Sequence, residues 1–473
     1  MVKDRKLEMY GGVFGGIVPL IILIAVLIWL SVGERGGTAP FWAAGWLAIA
    51  LTLFFAKDKS HYCKAIMKGI GNENGIIIVL AWLFAGVFGK LIVAGGLVEG
   101  LLWLGLETGA KGAMFTLLAF VVASLFSSGT GTGTGTVISL IPVLYPAGVY
   151  LGADPVMLAV AILSGAALGD NLAPVSDTTI VSAYTQGAQM RDVVKSRFPL
   201  VAVSGLLAAV VFFIFGGAKS GTAQLNMEVE TDILGLTMLI SILIVILAAL
   251  AKRHIIEALI YGNISAMVIG LLIGNLKWQQ IFSLPLERGG STGLIQDGIS
   301  GVTGAIIFAL LVLAITQVVI ESGVMDSVLK WSLNNMIKSV RQAEFSIVFV
   351  TFLVSVPIAA NAPALLLIGP SFVKSIGERF KLSGERTANL MSCAVNSLFY
   401  MIPWHIIVIV WYGVLTTAAQ DWNLPLPSIG TAFIHPYGWA IIAVLFFSII
   451  TGWNRTFSSS EDKKSDSTVG MTV

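Results

Sequence analysis

The chain has 473 residues, of which 56% are hydrophobic and only 11% are charged, so it lacks the polar surface that a soluble protein of this size needs. We therefore predict an integral membrane protein of the all-α class. The net charge of +2 offers no basic surface to a nucleic acid, and the two cysteines, Cys63 and Cys393, exclude a disulfide framework and a cysteine-based metal site.

A polar N-terminus is followed by the first apolar stretch, which is too long for the core of a signal peptide and is predicted to be a retained span. About 20 apolar residues cross a bilayer, and this criterion gives ten transmembrane helices. The polar segment 453–473 is expected to be a disordered cytoplasmic tail. The predicted spans lie near residues 13–32, 41–56, 75–93, 155–186, 198–216, 233–251, 255–274, 301–322, 386–418 and 436–452.

Two further apolar regions, 111–150 and 343–378, are each interrupted at the centre by residues that disfavour a helix. The first breaks at SSGTGTGTGT (127–136) and the second at AANAP (359–363). Non-helical backbone at membrane depth is tolerated only where protein or a water-filled cavity surrounds it. Both regions are therefore predicted to be re-entrant hairpins that do not cross the membrane.

The distribution of positive charge tests this topology. Ten crossings with the N-terminus in the cytoplasm place 22 of the 28 Lys and Arg residues on the cytoplasmic side. This agrees with the positive-inside rule. Both termini are therefore expected to be cytoplasmic, in the cytoplasmic (inner) membrane of a bacterial-type cell.

The order of spans and breaks repeats after about 225 to 240 residues, which divides the chain into residues 1–220 and 221–452. Each part contains five spans, one hairpin and one span with a polar break, at 155–186 and 386–418. Because five is an odd number, the second repeat must be inverted relative to the first. Inverted repeats with matching interruptions predict a secondary active transporter whose site lies where the four interruptions meet.

The tip of the first hairpin alternates glycine with threonine. Glycine lets backbone carbonyls approach an ion, and hydroxyls add the hard oxygen ligands that Na+ prefers. Ten consecutive Gly, Ser and Thr residues are also expected to make a poor helix. The alternative is that these small residues serve close helix packing. The candidate ligands here are Ser127, Thr130, Thr132 and Thr134.

The stretch GAALGDNLAPVSDTT, residues 165–179, is too polar for an ordinary span. A lone carboxylate at the bilayer centre costs about 2.5 to 3.5 kcal/mol on insertion scales, so Asp170 and Asp177 each need a cation, a proton or a partner. Competition between Na+ and H+ for one carboxylate would couple the two ions. The alternative is that an aspartate caps a half-helix. The candidate ligands, including a tentative Na+ site at the two aspartates, are Asp170, Ser176, Asp177, Thr178 and Thr179.

The second half supplies polar residues but no carboxylate at its two breaks. His405 could relay protons, although a single histidine in a helix can equally be a hydrogen-bonded packing residue. These residues form the predicted second-half or substrate site. They are Asn361, Asn396, Ser397, Tyr400, Trp404 and His405.

The motif SGTGTGTG, followed by AILSGAALGDNLAPVSDTT and later by MIPWH, resembles the NhaC family of sodium/proton antiporters. The resemblance implies a fold of the ion-transporter superfamily, with a scaffold domain, a transport domain of two hairpins and two broken helices, elevator movement and a homodimer. Carried over by residue, the family motif falls on Gly169, Asp170, Pro174, Ser176, Asp177, Thr178 and Thr179, and on Thr130, Thr132 and Thr134.

One departure from the family pattern leaves a second function open. The family often has acidic residues before its counterpart of MIPWH, whereas residues 392–398 contain none. The leading prediction is a Na+/H+ antiporter with no cofactor beyond Na+ as the transported or coupling ion. The alternative is Na+- or H+-coupled transport of a small organic acid or amino acid. A channel is disfavoured by the lack of a continuous polar stripe, and an enzyme by the lack of a nucleophile with its base or a cofactor motif.

Overall fold

A computed structural model of the protein describes residues 6–32, 38–71, 73–174, 176–218, 231–251, 253–283, 292–324, 337–356, 358 and 360–458. Over these residues the chain forms α-helices joined by short turns, with four isolated β-bridges in place of a sheet. The prediction of an all-helical, largely apolar protein is confirmed for the described residues.

The first half of the chain contains ten described helices, and most of them are built almost entirely from apolar residues. Two of them were not predicted: α3, a short lysine-rich helix, and α5, which bends by 56° from α4. The helices are α1 (Val13–Val32), α2 (Thr38–Thr52), α3 (Lys59–Ile70), α4 (Glu73–Ala94), α5 (Leu97–Thr108), α6 (Ala113–Thr130), α7 (Gly133–Tyr150), α8 (Pro155–Leu172), α9 (Asp177–Gln186) and α10 (Met190–Phe215).

The second half contributes ten more helices among the described residues. A single π-helical turn, Gly369–Val373, joins α16 to α17. The helices are α11 (Leu239–Leu250), α12 (Ile255–Ile273), α13 (Trp278–Ile281), α14 (Leu294–Glu321), α15 (Val340–Ser355), α16 (Asn361–Ile368), α17 (Lys374–Phe380), α18 (Gly384–Phe399), α19 (Ile406–Asp421) and α20 (Pro436–Thr451).

Seven helical segments in the described part of the chain are long and apolar enough to cross a membrane, or eight if the bent pair α4–α5 forms one span. Shorter apolar helices occur in α1, α2, α11 and α19. The protein therefore crosses the membrane several times, and the number ten stays a prediction. Both arms of the first hairpin, α6 and α7, also meet the length criterion, so its re-entrant course stays a prediction as well.

The first hairpin breaks only at Gly131 and Thr132, a shorter interruption than predicted. Gly131 adopts φ 70°, which favours glycine, and Thr132 caps α7 by accepting a hydrogen bond from the Gly135 amide at 3.2 Å. The expectation that the ten Gly, Ser and Thr residues would make a poor helix was wrong for eight of them, since α6 continues to Thr130 and α7 begins at Gly133. Three of the hydroxyls, those of Ser128, Thr130 and Thr136, donate to carbonyls one turn earlier, as Thr130 Oγ1 does to Phe126 O at 2.9 Å, and are thereby satisfied inside the helix.

The other three predicted breaks are present. The second hairpin is interrupted between Ser355 and Asn361, the first broken span between Leu172 and Asp177, and the second between Phe399 and Ile406. Pro357, Ala359 and Val175 lie outside the described residues.

The broken spans pack against hairpins from the other half of the chain. Helix α9 contacts α16, and α19 contacts α7 in the corresponding way. Helices α10 and α20, which follow the two broken spans, contact each other. All four interruptions are therefore held by one group of helices, α6–α10 and α15–α20.

The tightest contact in this group joins α6 to α8. A side chain at Gly169 would place its Cβ 2.4 Å from Ser124 O, and one at Gly165 would place it 2.4 Å from Phe120 O. Two glycines four residues apart let helix backbones meet in this way. The first hairpin and the helix that carries Asp170 are thus packed as one unit.

A second group of helices, α1–α5, α11, α12 and α14, lies beside the first. Helix α14 packs against α2, α3 and α4, and α4 also packs against α12. The two groups meet where α4 contacts α7 and where α14 contacts α19. The Lys90 ammonium and the Asp421 carboxylate form an ion pair across this boundary.

The C-terminal segment is ordered further than the sequence indicates. Leu382 and Phe457 form an isolated bridge, and the Asn454 side chain donates to Ser196 O at 2.8 Å. Residues 453–458 of the predicted disordered tail therefore lie against the body of the protein. The remainder, 459–473, lies outside the described residues.

Candidate functional site

Asp170 lies in the last turn of α8, at the break in the first broken span, and its side chain is buried. One carboxylate oxygen, Oδ1, accepts a hydrogen bond from Ser176 Oγ at 2.7 Å. The other, Oδ2, accepts one from the Tyr400 hydroxyl at 3.1 Å. Among the described residues neither oxygen meets a Lys, Arg or His side chain. Asp170 is thus a buried carboxylate held by two neutral hydroxyls.

Tyr400 reaches Asp170 because the first hairpin has a glycine where the two meet. A Cβ at Gly133 would lie 1.7 Å from the Tyr400 hydroxyl oxygen. No other residue type fits at that distance, so the Gly-Thr alternation at the hairpin tip has a steric reason. Tyr400 therefore links the second broken span to both the first hairpin and the first broken span.

Asn396 joins the two halves of the chain at the same place. Its Nδ2 donates to Asn171 Oδ1 at 2.9 Å and to Thr178 Oγ1 at 3.3 Å, and its Oδ1 accepts from Asn361 Nδ2 at 2.8 Å. Asn171 in turn donates to the Tyr437 hydroxyl at 2.9 Å. These hydrogen bonds bring together three of the four predicted interruptions, and the contact of Gly133 with Tyr400 adds the first hairpin. Asn361 Oδ1 is buried without a partner among the described residues.

Ser176 and Thr178 lie between Asp170 and the amide cluster. Their hydroxyl oxygens are 2.9 Å apart, and both side chains are fully buried. With the Asp170 carboxylate they form a set of hard oxygen atoms, which is the ligand type that suits Na+ rather than a soft metal. The residues present therefore fit an alkali cation as cargo.

Asp177 differs from Asp170 in its surroundings. It is exposed, and its Oδ1 accepts a hydrogen bond from the Thr178 amide at 2.7 Å, at the first turn of α9. Ile180 and Tyr184 are also exposed, and their spacing puts them on the same face of α9 as Asp177. The N-cap residue of α9 is Ser176, and its side chain makes no capping hydrogen bond among the described residues, so the capping alternative is not borne out. The Asp177 carboxylate faces outward from the buried cluster.

The predicted hairpin ligands divide into two kinds. Ser127 is fully buried and donates to Ala166 O at 2.7 Å, so it serves the contact between α6 and α8. Thr130 donates to its own helix, and Thr132 caps the next one. Thr132 and Thr134 are half-buried at the hairpin tip. In the described contacts, these four hydroxyls do not touch Asp170.

Trp404 and His405 also lie apart from the Asp170 contacts. Trp404 Nε1 donates to Val356 O at 2.8 Å, and His405 Nε2 lies 2.9 Å from Ser355 O. Both side chains contact carbonyls at the C-terminus of α15. His405 is therefore a hydrogen-bonded packing residue, as in the alternative given for it above. Ser397 likewise donates to Ala394 O in its own helix at 2.7 Å. His405 is not the only buried histidine, because His435 at the start of α20 is buried too.

Arg197 belongs to the site, although the sequence predicts it to be a cytoplasmic charge at the edge of a span. Because α10 begins at Met190, Arg197 lies about two turns inside the helix, and it is fully buried. Its Nη1 donates at 3.0 Å to both Asn171 O and Thr179 Oγ1. No local sequence signal separates an inward arginine from an anchoring one.

Comparison with known families gives an independent view of this region. Residues 18–217 match the model described as the Na+/H+ antiporter family, and this range includes the first hairpin, Asp170 and Arg197. Over this range the chain is similar to the Na+/H+ antiporter family. The resemblance identified from the motif at 165–179 is confirmed.

Three individual relatives are less than 25% identical to the chain but align with most of its length. It is 23% identical to the malate-2H+/Na+-lactate antiporter of Bacillus subtilis, over 83% of this chain and 84% of the relative. It is 22% identical to the Na+/H+ antiporter NhaC of Alkalihalophilus pseudofirmus, over 71% of this chain and 75% of the relative. It is 23% identical to the arginine/ornithine antiporter ArcD of Halobacterium salinarum, over 71% of this chain and 73% of the relative.

Among solved structures, the chain is similar to the YdaH transporter of Alcanivorax borkumensis, with a TM-score of 0.42 and 15% identity, over 84% of this chain and 90% of that one. It is also similar to MtrF of Neisseria gonorrhoeae, with a TM-score of 0.41 and 11% identity, over 92% and 94%.

Proposed function

We propose that the protein is a secondary active Na+/H+ antiporter of the NhaC type in the cytoplasmic membrane, and that Asp170 binds Na+ and H+ in turn. One observation carries the assignment. Asp170 is a buried carboxylate at a helix break, and its described contacts are hydroxyl donors rather than cations. A carboxylate buried in this way needs a cation or a proton to be stable.

The exchange follows from what the carboxylate can hold. Asp170 binds either Na+ or a proton, and the two compete for the same oxygens. Ser176 and Thr178 are close enough to add oxygen ligands to the ion, and Tyr400 keeps the carboxylate oriented. Asp177, which faces outward on α9, receives the cation from water and passes it inward.

The proposed movement uses the two groups of helices. Helices α6–α10 and α15–α20 would be the transport domain, and α1–α5, α11, α12 and α14 the scaffold of an elevator transporter. Two inverted repeats, residues 1–220 and 221–452, are supported by the matching contacts of α9 with α16 and of α19 with α7. The proposal includes a homodimer with both termini in the cytoplasm.

Coupled transport of a small organic acid or amino acid is the second candidate. Amide side chains surround the carboxylate, and the stretch 392–398 contributes no further acid that would favour a purely cationic cargo. Two relatives are named as antiporters of malate and lactate and of arginine and ornithine, which favours an organic cargo on this fold.

Exchange in proteoliposomes tests the first candidate. A Na+ pulse should dequench a pH-sensitive dye with wild-type protein, and Asp170→Asn should lower the rate by about 100-fold or more, because amide oxygen cannot take up the proton. Asp192→Asn, an exposed aspartate in the first turn of α10, is the matched control and should exchange normally. Full exchange by Asp170→Asn would contradict the assignment.

Uptake of labelled solutes separates the two candidates. Malate, lactate and arginine are offered to the same vesicles with and without a Na+ gradient. Na+-dependent uptake of one of them, with no Na+-driven proton movement in its absence, would support the organic cargo and overturn simple Na+/H+ exchange.

A further inference from the structure

Arg197 is the buried positive charge nearest to the proposed cation site. In the described residues the fully or almost fully buried charged side chains are Asp170, Arg197, Glu344 and Arg386. Glu344 and Arg386 form a direct ion pair, with Arg386 Nε 2.8 Å from Glu344 Oε1. Within the described part of the chain Arg197 has no direct ion pair, and its hydrogen bonds connect it to the site through neutral groups.

The contacts of Arg197 fix its position from three helices. Nε donates to Asn389 Oδ1 of α18 at 2.9 Å, and Nη1 donates to the Asn171 carbonyl of α8 and to Thr179 Oγ1 of α9. Nη2 is buried without a described partner. An arginine keeps its charge at any physiological pH, so this charge is a permanent part of the site.

A permanent positive charge opposes the binding of every cation beside it. Its presence in a cation site therefore requires an electrostatic reason. When the buried Asp170 and the exposed Asp177 at the start of α9 are both ionised, Arg197 brings the net charge of the three groups to −1. One Na+ or one proton makes the site neutral, whereas a second cation would leave an uncompensated positive charge in a desolvated place.

We propose that Arg197 is a fixed counter-charge that limits the site to one monovalent cation at a time and so makes the exchange one-for-one and electroneutral. This inference rests on the proposed function of Asp170. Arg197 is a positioning and charge-balancing residue in this scheme, since its described contacts are with protein groups around the site.

The charge count depends on the groups that surround Arg197 and Asp170. Acidic side chains come only from α8 and α9 among the described residues within reach. The other ionisable groups are a thiol and two phenols, which are neutral near pH 7: Cys393 in α18, Tyr400 in the break of the second broken span and Tyr437 in α20. The ionisable groups facing the pair are Asp170, Asp177, Cys393, Tyr400 and Tyr437.

Proteoliposomes with an imposed K+ diffusion potential test the proposal. Wild-type Na+/H+ exchange should keep the same rate at every potential. Arg197→Gln should make the rate depend on potential, lower the KM for Na+ by about tenfold or more, and move the pH optimum up by about one unit, since removing the positive charge favours Na+ and H+ alike. Arg197→Lys should keep the wild-type pattern, and so should Arg191→Gln, an exposed arginine on the same helix.

The outcomes separate three cases. If wild-type exchange follows the imposed potential, the one-for-one exchange is overturned, whether or not Arg197→Gln folds. If Arg197→Gln is slower but keeps the wild-type KM, pH optimum and voltage independence, Arg197 only holds the helices together and the counter-charge is overturned. If the wild type shows no Na+/H+ exchange, the proposed function itself fails, and this inference with it.

Discussion

Two buried groups of charge lie in the same group of helices and are built in opposite ways. In the first, Glu344 accepts from Arg386 Nε at 2.8 Å and from Arg455 Nε at 3.0 Å. In the second, Asp170 and Arg197 are separated by hydroxyls and amides. Arginines neutralise the charge of a buried carboxylate, so it does not attract a further cation. Hydroxyls donate hydrogen bonds without neutralising the charge, so the carboxylate can still bind a cation. Direct ion pairing thus distinguishes Glu344 from Asp170, the acid that we propose binds the cation.

The largest expected effect comes from removing the acid of the paired group. Glu344→Gln leaves the buried Arg386 and the partly buried Arg455 without a counter-charge, and breaking a buried pair in this way lowers the free energy of unfolding by about 3–5 kcal/mol. Asp170→Asn removes a buried charge that has no direct partner and should not lower the free energy of unfolding. Thermal unfolding of the purified variants in detergent measures both. Equal destabilisation by the two substitutions would remove the distinction between the groups.

A smaller effect is expected from the helix packing next to Asp170, which has no direct ion pair among the described residues. Gly169→Ala puts a methyl group 2.4 Å from both Ser124 O and Ser127 Cβ, and such overpacking costs about 1–3 kcal/mol of unfolding free energy. Exchange should fall with it, because the neighbouring Asp170 must shift. Gly301→Ala in α14 is the control, since its Cβ would meet Thr417 Cγ2 at an ordinary 3.6 Å. Unchanged stability and exchange in Gly169→Ala would show that the α6–α8 contact is not needed.

The smallest effect concerns one hydroxyl on Asp170. Tyr400→Phe removes the donor to Oδ2, a hydrogen bond worth about 1 kcal/mol, so the KM for Na+ should rise by about fivefold. Tyr145→Phe removes another buried hydroxyl, which donates to Pro425 O away from the site, and should leave the KM unchanged. Initial rates of exchange over a range of Na+ concentrations give both values. A rise of equal size in the two variants would point to general destabilisation instead.

The sequence predicts the four breaks because polar residues and proline inside apolar stretches are costly in a membrane. Asp170 and Asn396 stand out for that reason. The order of the spans predicts that the breaks of the two halves meet, and the contact of Asn396 with Asn171 and Thr178 is in agreement. Features that depend on the composition of one segment, or on a repeat along the chain, can thus be predicted from the sequence.

The direction of a side chain is not encoded in the same way. Arg197 and Arg386 occur at the ends of apolar stretches, where the positive-inside rule predicts anchoring residues, yet both point into the protein. Ser127 is one of several hydroxyls in a Gly-Thr run, and only the close approach of α6 to α8 makes its partner Ala166 O. These outcomes depend on helix packing, which composition and spacing do not determine.

The contact of Arg455 with Glu344 bears on how the protein is made. Arg386 follows Glu344 by 42 residues, whereas Arg455 follows it by 111 residues and comes after the last apolar helix. On the ribosome, Arg386 is therefore synthesised before α19 and α20, so its pair with Glu344 can form while these helices are still being made. Glu344 acquires its second arginine only when translation has passed the final span, so the order of synthesis makes this contact one of the last steps of assembly.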